Sequence, residues 1–153
     1  MCHMETVEFL ILKNLLHNEE YVRKVIPFIK GDYFEDTNQK VVFEEIISFV
    51  QEYNEPATKE IICIETEKRN DINDSSFKEI TTLINSLVDE PSEFDWLVNT
   101  TEKWCRDRAI YLALMESIQL ADGKDDKKGR DAIPSILSDA LAVSLDNDIG
   151  HDY

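Results

Sequence analysis

The sequence predicts an all-α fold: a compact N-terminal helical bundle followed by a protruding helical hairpin. Three observations carry that prediction. Apolar residues recur at helical spacing almost throughout, and strand-type alternation is scarce. Four glycines and four prolines in 153 residues leave few points at which a helix must break. Between Pro91 and Gly123 nothing interrupts the helical pattern, so one long helix is expected over 92–121.

Taken in order, a first helix is expected over 5–17. Asn18 is a good N-cap for a short second helix carrying Tyr21, Val22, Val25 and Ile26 before Pro27. The stretch "FIKGDYFED" reads as a compact connection, with Gly31 supplying the turn and Phe28, Tyr33 and Phe34 plugging it into the core. A third helix starts after Asp36 or Thr37, its stripe being Phe43, Ile46, Ile47 and Val50. "NEPAT" ends it, and Thr58 caps a fourth helix through Ile61, Ile62 and Cys63. Polar "ETEKRNDINDSS" reads as a loop. Ser75 or Ser76 then caps a fifth helix with the stripe Phe77, Ile80, Leu83, Ile84, Leu87 and Val88.

Pro91 closes the fifth helix. Ser92, with Asp95 three residues on, resembles a capping box opening the long helix. "DGKDDKKGR" turns the chain back, and Asp131 caps a last helix over 131–146 with Pro134 in its first turn. The expected division is a compact bundle over 1–90, a hairpin over 91–146 and the start of a linker over 147–153.

Composition narrows the function. Acidic residues outnumber basic ones 32 to 16, giving a formal charge of −16. Repulsion from phosphate therefore opposes a large duplex-DNA footprint. The most basic run, "GKDDKKGR", mixes both signs and contains no aromatic residue, which reads as a solvated loop. Cys2, Cys63 and Cys105 are odd in number and far apart, without a C-x-x-C, so free thiols in a reducing, cytoplasmic setting are expected. Glu5 and Glu8 beside the first apolar run rule out a secretory signal.

Catalytic patterns are missing. Gly123-Lys124 is followed by Asp125 rather than Ser or Thr, so there is no phosphate-binding loop. His3, His17 and His151 lack metal-ligand spacing. Cys105 sits in an apolar helix with no histidine near it in sequence and reads as a buried structural thiol. No catalytic residue, cofactor or metal is assigned to this chain.

The long helix raises the functional question. Ala109 to Met115 are apolar without interruption, and at about 100° per residue they project to every side of the rod. Trp104, Tyr111 and Ile118 recur every seven residues, with Met115 between them. Phe94, Trp96 and Leu97 are expected to seal the helix start against the bundle. The returning helix covers only one side of the rest. A second copy is expected to cover the remainder, two hairpins making a four-helix bundle. The expected pairing surface is Ile110, Leu114, Met115, Ile118, Ile133, Ile136, Leu137 and Leu141.

Three segments carry a resemblance. "YVRKVIPFIKGDYFEDTNQKVVFEEIISFVQEYNEPAT" contains an aromatic turn at Asp32, Tyr33 and Phe34, then Phe43 and Ile46, then Pro56. "DWLVNTTEKWCRDRAIYLA" contains Trp96, Leu97, Val98, Thr101, Glu102, Lys103, Arg108 and Ala109. The third is "AIPSILSDALAVSLDNDIGHDY". In this order they resemble the N-terminal domain of T-even phage-type replicative DNA helicases and, more distantly, of bacterial DnaB. The resemblance implies the collar of a hexameric ring, in which hairpins pair into dimers and three dimers close the collar. It also implies contact with a primase and with a helicase loader, and DNA contact only through the assembled ring. The family continues into a RecA-like ATPase motor, so ATP and Mg are expected only in a motor that these residues do not include. The alternative is a stand-alone acidic phage adaptor or DNA mimic, with Asp89, Glu90, Glu93 and Asp95, and then Asp139, Asp146, Asp148 and Asp152, imitating phosphates.

Overall fold

The computed structural model describes residues 6–123 and 129–143. Among them are seven α-helices and two 3-10 turns, and no strand. The all-α prediction holds.

Local capping sets most boundaries. Helix α1 (Val7–His17) begins where the Thr6 hydroxyl accepts from the Phe9 N–H at 3.1 Å. Asn18 ends α1 and caps α2 (Glu19–Val25), its side chain accepting from the Tyr21 N–H at 3.0 Å. A 3-10 turn (Gly31–Tyr33) leads to α3 (Thr37–Tyr53), capped by the Asp36 carboxylate and closed by Asn54 in the left-handed region at φ 55. Thr58 caps α4 (Lys59–Glu67). Helices α5 (Asp74–Ser86) and α6 (Phe94–Ala121) follow, then a second 3-10 turn (Arg130–Ala132) and α7 (Ile133–Leu141).

Several expected boundaries move. Helix α4 runs past Cys63 to Glu67, because the fully buried Thr66 donates its hydroxyl to the Ile62 carbonyl at 2.7 Å and anchors the last turn. Glu65 and Glu67 lie on that helix, while Lys68, Arg69 and Asp71 stay in the expected loop. Asn73 caps α5 in place of Ser75 or Ser76; its side chain reaches the Ser76 N–H at 2.8 Å, which places both serines inside the first turn. Glu93 rather than Ser92 caps α6, its carboxylate accepting from the N–H groups of Trp96 at 2.7 Å and Asp95 at 3.2 Å. Asp131 lies within the second 3-10 turn and makes no cap; Ala132 precedes α7. Pro134 lacks one of the N–H groups a cap would serve. The last helix ends at Leu141, while the expected residues 144–146 lie outside the described ones.

The bundle core contains Ile11, Leu12, Leu15, Tyr21, Ile46 and Ile62, with Ile80, Ile84 and Leu87 from the fifth segment. The first half of α6 closes it with Leu97, Val98, Thr101, Trp104 and Cys105. Trp96 departs from expectation: it is 51% exposed, while Phe94 is half-buried. Residues 96 and 97 lie about 100° apart around the helix, so only Leu97 meets the bundle. The aromatic turn does plug the core. Phe34 packs on Trp104 and Phe43 with ring centroids 5.0 and 5.1 Å apart, and Tyr33 meets Trp104 edge-on at 6.0 Å. A buried hydrogen bond of 2.6 Å between the hydroxyls of Tyr21 and Thr101 ties α2 to α6. Burial raises the Tyr21 phenol above its ordinary pKa, so it stays a neutral partner.

Candidate pairing face on the helical hairpin

The principal neighbour of α7 is α6, and the two form an antiparallel hairpin. Arg130 helps close it by donating Nε and Nη2 to the Ala121 carbonyl, at 3.1 and 2.9 Å, at the C-terminal end of α6. Residues 124–128 of the basic run lie outside the described residues.

Beyond the bundle, α6 has two faces. Ala109, Ala113, Ser117 and Leu120 are buried, at a spacing that keeps them on one side. Small side chains there let α7 approach closely. Tyr111, Leu114, Met115 and Ile118 follow i, i+3, i+4, i+7 spacing and are 47%, 48%, 41% and 54% exposed. The helical repeat centres that stripe about half a turn away from the buried side. Helix α6 is thus apolar on a side the described residues leave open. Leu141, at the end of α7, is 65% exposed.

The structure divides the residues expected to pair. Leu114, Met115, Ile118 and Leu141 are in solvent. Ile110, Ile136 and Leu137 are half-buried against the chain's own core, and Ile133 is half-buried. Tyr111 was not among the expected pairing residues, yet it opens the exposed stripe, three residues before Leu114. The sequence signal for it was its place in the run from Ala109 to Met115. The seven-residue recurrence of Trp104, Tyr111 and Ile118 does not form one seam: Trp104 is buried in the bundle and the other two are exposed. Arg108 fixes the near end of the stripe. Its Nε donates to the Tyr33 carbonyl, and its guanidinium lies 4.9 Å from the Tyr111 ring centroid.

The described residues offer little reactive chemistry. No group of three or more His, Cys, Asp or Glu among them could hold a metal. The Cys105 thiol is fully buried, and burial, with a smaller contribution from the Glu102 charge, pushes its pKa up to about 12. Cys63 is free and also shifted upward by burial. Two acids of the suspected phosphate mimic have structural duties. Glu90 pairs with the buried Lys13 at 3.1 Å, and Glu93 caps α6. The acids at 146, 148 and 152 lie outside the described residues. No helix among the described residues is long and apolar enough to cross a membrane.

The fold and this face describe an all-α domain whose most prominent surface feature is an apolar hairpin. Comparison with known proteins gives the class a lineage. The chain is 32% identical over 152 residues to the DnaB-like replicative helicase of Enterobacteria phage T4, across 94% of this chain. Over these residues it is similar to a DnaB-like replicative helicase, as the three segments indicated. The chain spans about a third of that relative's length, 32%. No family model matches it.

Proposed function

We propose that this chain is the non-catalytic N-terminal collar domain of a hexameric replicative DNA helicase. Its hairpin pairs with the hairpin of a second copy about a two-fold axis, and pairs of copies close the collar. ATP and Mg serve a motor outside these residues, DNA is met through the assembled ring, and a primase and a helicase loader dock on the collar in the cytoplasm. The observation that supports this reading best is the stripe of Tyr111, Leu114, Met115 and Ile118, each more than 40% exposed on the side of α6 away from α7. Monomeric proteins rarely leave large contiguous apolar patches in water, and a self-complementary one suits an isologous dimer.

The test is the mass of the chain in solution. Sedimentation equilibrium at rising concentration is expected to show a dimer. A chain that stays monomeric at its highest soluble concentration overturns the assignment.

A further inference from the structure

The stripe by itself makes a small contact. With about 200 Å² to a side chain of this kind, its four half-exposed residues offer roughly 400 Å² a copy, or about 800 Å² a pair. A stable interface buries about 1,000 Å² or more. The outer face of α6 continues toward the bundle, where it carries Trp96, 51% exposed. At about 100° per residue, Trp96, Lys103, Asp107, Tyr111, Leu114 and Ile118 fall within about 80° of arc. Lys103 and Asp107 are exposed and have no hydrogen-bond or ion-pair partner among the described residues. They stand one turn apart, opposite in charge, midway between Trp96 and Leu114.

We propose that two copies pair antiparallel along this whole face of α6, with the two-fold axis at residue 105. The inference rests on the pairing proposed above and sets its register. An isologous contact repeats each pairing in reverse, so an axis at 105 matches residues equally far from it on either side. Lys103 then meets the partner's Asp107, Asp107 meets the partner's Lys103, and Trp96 packs on the partner's Leu114 at both ends. Tyr111 reaches the partner's Asn99, and Ile118 reaches the partner's Ser92. Trp96 adds roughly 250 Å² to the pair, which brings the area to what a stable interface needs. Opposite charges across the contact fix the register. Laying stripe on stripe instead centres the axis near residues 114 and 115. That register leaves Trp96 in water and sets Asp107 against the partner's Asp122. Thr101, buried toward the bundle, and Ala113, buried toward α7, each lie about 120° around the helix from the centre of the line, on opposite sides. Neither the bundle nor α7 therefore comes between the two helices.

Sedimentation equilibrium of the whole chain at about 0.15 M salt, where long-range charge is screened, reads the pairing. Lys103→Asp and Asp107→Lys should each weaken it about tenfold, because each sets like charges face to face at two places. The two changes move the net charge of −16 in opposite directions. If overall repulsion governed association, Asp107→Lys would strengthen it instead. Lys103→Asp/Asp107→Lys restores both reciprocal contacts and should pair within about twofold of the parent. With fluorotryptophan in place of both tryptophans, the fluorine resonance of Trp96 should move as concentration rises, while that of the buried Trp104 stays. Circular dichroism checks that the helices remain. The register falls while the pairing stands if the parent pairs and either single variant pairs as well as it does. It falls likewise if the double swap fails to recover with its helices intact, or if the Trp96 resonance does not move. A chain that never pairs overturns both readings.

Discussion

Replacing Leu114 and Ile118 together by glutamate should abolish pairing of the chain. The two side chains are 48% and 54% exposed in the single chain. Complete burial of such a side chain is worth about 1.5–3 kcal/mol, so covering the exposed half gives about 1 kcal/mol each. The four stripe residues on each of two copies then contribute about 8 kcal/mol. Association itself costs roughly 4–15 kcal/mol. At best this leaves about 4 kcal/mol, so an isolated pair is weak, about millimolar, and further contacts in a ring would raise its effective concentration. The double substitution removes four of the eight covered side chains, about 4 kcal/mol, or roughly a thousandfold in Kd. It also forces carboxylates into the contact. The folded monomer should tolerate the change: both positions face water, glutamate is a good helix former, and like charges four residues apart cost only about 0.2–0.5 kcal/mol. Sedimentation equilibrium on parent and variant reads the association, and circular dichroism reads the helix content. A double variant that associates as strongly as the parent, with its helices intact, would refute the reasoning.

Three further outcomes follow from the core and the hairpin seam. Tyr21→Phe and Thr101→Val should each cost about 1–3 kcal/mol, because each strands a buried hydroxyl; in urea unfolding the double variant should cost less than the two singles together, and strict additivity would deny the bond a role. Ser117→Ala should stabilise the chain by about 1 kcal/mol and raise Tm by roughly 2–4 °C, since the buried Ser117 hydroxyl has no hydrogen-bond partner and alanine keeps the Cβ contact; an unchanged or lower Tm would mean that the hydroxyl is satisfied in solution. Cys105 should resist iodoacetamide at pH 8 until urea is added, with Cys63 labelled ahead of it. Because folding raises the Cys105 pKa to about 12, its contribution to stability is complete below the unfolded thiol value of about 8.5 and is lost as pH rises from there toward 12; replacing Cys105 by Ala should flatten that alkaline loss in urea titrations.

What the sequence determined by itself was local. Asn18, Asp36 and Thr58 cap the helices read from them, since each bonds N–H groups two or three residues ahead and needs nothing distant. The extent of α6 was legible for the same reason: residues 92–122 contain no glycine or proline, and helix propagation needs only neighbours. Errors of the same range arose where adjacent residues could both cap, at Asn73 against Ser75 and Ser76 and at Glu93 against Ser92. The resemblance to replicative helicases was also legible, through residues such as Phe34 and Phe43 that the structure brings together at 5.1 Å. Only the tertiary structure decided which apolar side chains remain in water. A helix that is apolar all round carries no mark of its inner face, so Ile110 and Leu114 look alike in sequence. The packing of α7 against Ala113 and Ser117 leaves Leu114 exposed and draws Ile110 toward the core.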